Sequence, residues 1–227
     1  MCFSPSASFV ASTLLISSGS YCISRVIKTN SYPYLPIAVV PIFFGIQQGF
    51  EGMVWLSLNG TVPQATQTYA LGFLFFSHFL WLFWMNISVL VIETRKTFKK
   101  VLVGLAVIGF LDGVFLYFPL LLHRDWLSVS LVNHSIQYQI HVLSSGLIPP
   151  LLGICLYVIV CLTGLFVSEN KELNYLGGLL FVAFILTKLI FDYALISVWC
   201  FFAAVISCEL IYVFYSEQLF EQVDSGN

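Results

Sequence analysis

Gln47-Gln48-Gly49-Phe50-Glu51-Gly52-Met53-Val54-Trp55 sets two amides and a carboxyl inside an apolar segment that begins near Tyr34 and runs to Ser57. A segment of that length can cross a bilayer as a helix, which takes about 20 residues. An ionisable side chain in hydrocarbon costs roughly 3 kcal/mol or more, so polar groups on such a helix must face other helices or a water-filled cavity. Gln47 and Glu51 stand at i,i+4 and Gln48 and Glu51 at i,i+3, which puts all three on one helical stripe with Trp55 a turn further on. Glu51 is the first candidate for function.

Composition extends this reading to the whole chain. Of the 227 residues 59% are apolar and 9% charged, and the mean hydropathy is +0.94. A soluble domain would carry about a quarter charged residues. The chain is therefore expected to be an all-α integral membrane protein. A net charge of -2 leaves no basic surface for nucleic acid. The opening Met-Cys-Phe-Ser-Pro has no cationic region ahead of its apolar run, so the first segment is expected to stay rather than be cleaved.

Apolar runs of spanning length fall at 7–27, 34–57, 67–92, 101–122, 145–167, 173–191 and 194–216. They predict a seven-helix bundle in a single transmembrane domain, 1–227. Only Asp192 and Tyr193 divide the last two runs, so a tight helical hairpin is required there; without it the count is six. Seven of the nine cations, Arg25, Lys28, Arg95, Lys96, Lys99, Lys100 and Lys171, fall on one side, and Arg124 and Lys188 toward the other. The excess of cations in cytoplasmic loops then places the N-terminus outside and the C-terminus in the cytoplasm. The expected location is a bacterial inner membrane, multi-pass.

The long connection between the fourth and fifth helices alternates apolar and polar residues, first as Leu127-Ser128-Val129-Ser130-Leu131 and again from Ile136 to Val142. Period-two alternation predicts a small β-hairpin near 127–142, with a four-residue turn Val132-Asn133-His134-Ser135. One face is apolar and the other carries Gln137, Gln139 and His141. The hairpin is expected to cap the outer end of the bundle, with Pro149 and Pro150 in the first turns of the fifth helix.

Counting from the expected outer helix ends, Glu51 and Cys200 lie roughly 9 Å deep and His78 and Asp112 about 15 Å deep. Candidate ligand-binding residues are Gln47, Gln48, Glu51, His78, Asp112, Lys188 and His141. Most have a plainer role open to them. His78 beside Trp81 can serve as an interhelical hydrogen-bonding group, Lys188 can reach the surface or pair with Asp192 at i,i+4, and Asp112 can bond to backbone. The triplet around Glu51 exceeds what helix association needs. Four cysteines, Cys22, Cys155, Cys161 and Cys208, read as small hydrophobes. Cys2 and Cys200 fall on the same expected side and form a candidate thiol pair.

Met1-Cys2-Phe3-Ser4 with Ala7-Ser8-Phe9, the Gln47-Gln48 to Trp55 stripe, and Ser197-Val198-Trp199-Cys200-Phe201-Phe202 together resemble an uncharacterised bacterial family of small polytopic membrane proteins. The resemblance spans the chain and implies architecture, not an activity. A microbial-rhodopsin-like protein would need a lysine within the last helix, and 194–216 has none. An alkaline-ceramidase-like hydrolase would need a paired His-x-x-x-His, also missing.

The first reading is a binding or sensing protein, with a polar pocket in the outer half of the bundle for a small polar or amphipathic ligand. A membrane-embedded enzyme is the alternative, metal-dependent or acid/base, using Glu51 and His78. A transporter acting as a homo-oligomer is the second alternative. No cofactor or metal is assigned by the sequence, and the bilayer is the one partner it names.

Overall fold

The computed structural model describes residues 4–61, 63–140 and 150–215. Seven helical rods account for most of them: α1 Pro5–Lys28, α2 Tyr32–Leu58, α3 Pro63–Ile92, α4 Lys96–Leu122, α5 Pro150–Val167, α6 Lys171–Ile190 and α7 Asp192–Tyr215. Six are long and apolar enough to cross a membrane, and α5 is apolar over Leu152–Val167. The division between α6 and α7 is the tight turn expected, a single 3-10 turn at Asp192–Ala194. The start of the expected fifth helix, 145–149, lies outside the described residues, as do Cys2, His141, Pro149 and the tail from Ser216.

Burial sorts the rods. In their most apolar stretches α2 and α3 are 61% and 56% buried, whereas α1 and α4 are 22% and 28% buried. The central pair is therefore α2 and α3; α1 and α7 flank α2, while α4 and α5 flank α3. Glycines let α1 and α2 approach closely. A Cβ on Gly45 would meet the Ile16 side chain at 2.7 Å, and one on Gly52 the Phe9 ring at 2.8 Å. Small residues at such crossings gain van der Waals contact where lipid offers no hydrophobic drive between helices.

Two interruptions shape the central pair. Near the start of α2 regular helix lapses at Val39, and two residues later Pro41 lacks the N–H that would continue the ladder. The Pro36 carbonyl beside this break accepts from Trp84 Nε1 at 3.0 Å and Ser88 Oγ at 3.1 Å. In α3 the segment Phe76–Leu80 is a π-helical turn. Its Ser77 carbonyl accepts the Tyr157 hydroxyl of α5. Both irregular turns are thus supplied with partners from neighbouring helices, as backbone within a bilayer must be.

The hairpin forms as expected, with β1 Leu127–Val132 antiparallel to β2 Ser135–Ile140. Its turn is shorter than the four residues expected. Val132 pairs with Ser135, leaving Asn133 and His134 as a two-residue loop, with φ of 47° and 59°. Two successive left-handed residues twist the chain as paired strands require, and asparagine tolerates that region well. Leu127, Val129 and Leu131 face Ile140, Tyr138 and Ile136 across the ladder. That face packs down on the starts of α3 and α7, where the Tyr138 ring stacks on Phe73 at 4.9 Å.

At the opposite end a polar latch joins the α3–α4 and α5–α6 connections. Glu93, its side chain fully buried, takes two hydrogen bonds from the Arg95 guanidinium at 2.9 Å. Arg95 also meets Glu169 at 3.1 Å and donates to the Val167 carbonyl. Thr94 Oγ1 donates to Glu169 at 2.9 Å.

Candidate functional site

The stripe on α2 is buried as its spacing requires: Gln47, Gln48 and Glu51 each have no exposed surface, and Trp55 is 5% exposed. The four residues point between α3, α7 and the hairpin. Gln47 Oε1 accepts the Trp81 indole N–H at 2.9 Å. Glu51 Oε1 accepts the hydroxyl of Ser197, which enters from the first turn of regular helix in α7. Gln48 adjoins the same carboxyl without completing a hydrogen bond.

From above, Tyr138 of the hairpin brings its phenol within electrostatic reach of Glu51 and Cys200. Burial pushes that phenol well above its ordinary range, with Glu51 and Cys200 adding to the shift. It is therefore a neutral hydroxyl under ordinary conditions, able to donate as well as accept.

The defining property of the cluster is what its atoms lack. Among the described residues, Gln47 Nε2, both polar atoms of the Gln48 amide, Glu51 Oε2, Trp55 Nε1 and the Tyr138 hydroxyl are buried with no hydrogen-bond partner. Each such group costs about 1–3 kcal/mol when left unpaired, more if charged. Native proteins keep few of them, and one region holding six such atoms calls for a physical reason.

Next to this cluster lies an apolar cavity of about 50 Å³, lined by residues of α2, α3, α5, α6 and α7. Phe44, Met85, Leu180 and Trp199 line it. Trp81 and Cys200 belong both to its wall and to the surroundings of the polar cluster. Those two side chains thus stand between the apolar cavity and the polar cluster.

The other sequence candidates sit elsewhere. His78 is buried on the π-helical turn, and its Nδ1 meets the Ser77 hydroxyl at 2.9 Å. Among the described residues no hydrogen bond or ion pair joins it to Glu51, whose partner is Ser197 instead. Asp112 is half-buried on α4 and lies toward Tyr157 and Cys161 of α5. Lys188, a third exposed, pairs with the exposed Asp192 at the end of α6, so it does not enter the cluster. Cys200 is buried beside Tyr138; its proposed companion Cys2 and the candidate His141 lie outside the described residues. No group of three or more His, Cys, Asp or Glu side chains is placed to hold a metal among the described residues.

Sequence reasoning missed Ser197 and Tyr138. Ser197 stands 146 positions from Glu51 and had no local signal beyond its place in the Ser-Val-Trp-Cys-Phe-Phe run. Tyr138 sat on the apolar face of the hairpin by its alternation, where its hydroxyl carried the missed information.

Long apolar helices gathered around a sequestered polar cluster define a multi-pass membrane protein. The chain belongs to a family of unknown function, DUF6629, whose model matches residues 1–224. Neither curated proteins nor solved structures provide a match to it.

Proposed function

We propose that the cluster around Glu51 is a binding site for a small polar or amphipathic ligand, and that the protein is a membrane-embedded binding or sensing protein. The six unpaired atoms on Gln47, Gln48, Glu51, Trp55 and Tyr138 carry this reading. A ligand able to donate and accept would satisfy them together, and the adjoining cavity accommodates an apolar portion. Mass spectrometry of the protein released from detergent, followed by identification of what it carries, tests the reading. A stoichiometric small molecule is expected. Glu51→Gln should weaken its retention about 10- to 100-fold, the range for hydrogen bonds to a charged group. Tyr138→Phe should weaken it less while leaving thermal stability nearly unchanged, because the hydroxyl removed has no partner among the described residues. A protein that carries only water, and whose variants change nothing but stability, would overturn the proposal.

We also propose that the hairpin end faces outward, across a bacterial inner membrane, because seven of the nine cations lie at the other end. The ligand would then reach the site from outside the cell, beneath the hairpin. Reporter fusions should read as external after Asn59, between α2 and α3, and as cytoplasmic after Ser168, between α5 and α6. A cytoplasmic reading after Asn59 would reverse the orientation.

A further inference from the structure

Resting on that binding site, the geometry points to its ligand class: a singly charged organic ammonium that also carries an oxygen acceptor, such as an amino alcohol. The first argument is charge. Glu51 has no exposed surface, and no Lys, Arg or His forms an ion pair with it among the described residues. Lys188 is occupied by Asp192, and His78 by Ser77. A buried carboxylate without a counter-charge is unstable, whereas a monocation brought by the ligand makes the site neutral.

Hydrogen-bond direction supplies the second argument. Ser197 already donates to Glu51 Oε1, so Oε2 is the carboxyl oxygen left for a ligand N–H. The neighbouring Gln48 Oε1 is a second unpaired acceptor. An alkylammonium has N–H donors enough for both. The remaining unpaired groups, Gln47 Nε2, Gln48 Nε2, Trp55 Nε1 and the Tyr138 hydroxyl, can all donate. They call for an acceptor on the same ligand, and a hydroxyl or carbonyl oxygen provides one.

The surroundings agree with this choice. The rings of Trp55 and Tyr138 belong to one packed cluster beside Glu51, and aromatic faces favour an organic cation. An anion would find a carboxyl and no base. A hard metal ion would want six or more oxygens, and here most of the free polar atoms are donors.

The test uses the full chain in detergent and an isosteric series of probes: 2-aminoethanol and longer amino alcohols, the matching diols, glycolate and sodium chloride. Thermal shift and calorimetric titration read binding. Amino alcohols alone should bind, and Glu51→Gln should lose at least about tenfold in affinity. Ser197→Ala keeps the carboxyl and should keep the preference for amines, which leaves a second variant if Glu51→Gln does not fold. Diols binding equally to both proteins would overturn the amine inference and leave the binding site standing. Glycolate or sodium binding, or no response to any amino alcohol at tens of millimolar, would also overturn it. Loss of the binding site itself would show separately, as purified protein that carries no small molecule.

Discussion

Gly109→Ala is expected to destabilise the protein by about 3 kcal/mol, the upper end of what overpacking costs. A Cβ there would lie 2.1 Å from the Leu82 carbonyl oxygen and 2.6 Å from its carbon. Both are backbone atoms of α3 and cannot rotate aside, so α3 and α4 would have to separate along the whole crossing. The neighbouring Gly104 provides the control on the same helix. No atom lies within 4 Å of the place its Cβ would occupy, and Gly104→Ala should be neutral or gain up to about 1 kcal/mol from helix propensity. Thermal unfolding in one detergent compares the two; equal effects would mean that the α3–α4 crossing is looser than described.

Arg95→Ala should produce the second large loss, because it leaves the buried Glu93 carboxylate without its two guanidinium hydrogen bonds. Arg95 itself is a third exposed, at 34%, so the cost arises from the acid left behind rather than from the arginine. The Arg95 guanidinium beside Glu93 holds its carboxyl below the usual range, despite the opposing effect of burial. A group whose pKa is lowered by folding contributes stability above its ordinary pKa, about 4.3 for glutamate. That contribution is lost as the pH falls through the lower, folded value. The difference in unfolding midpoint between the natural protein and Glu93→Gln should therefore be constant near neutrality and shrink below about pH 4. A difference that grew on acidification would contradict the latch.

The seven rods were legible because long apolar runs and bilayer thickness leave few alternatives. Alternation alone revealed the hairpin. Its turn was misjudged by two residues because nothing in the pattern shows that Asn133 and His134 both adopt left-handed backbone. Within the site, the i,i+4 spacing of Gln47 and Glu51 carried the reading of one shared stripe, and their complete burial agrees. Depth counting was a weaker guide. It put His78 and Glu51 in the same half of the bundle, but depth does not state azimuth, and His78 bonds to Ser77 instead. Lys188 showed the reverse problem: its pairing with Asp192 was readable locally, and that pairing keeps it at the surface.

The wide turn at Phe76–Leu80 makes α3 two helices out of phase. Each residue of an α-helix adds about 100° of rotation, so a turn that takes in one more residue swings everything after it by about that angle. Trp81, which reaches back to Gln47, and Asn86, which donates to the Val160 carbonyl of α5 at 2.8 Å, both come after it. Their azimuths are set by a count of residues as much as by residue type. Shortening that turn by one position would restore a single register to α3, carry the indole away from α2, and detach α5 from the same face at one stroke.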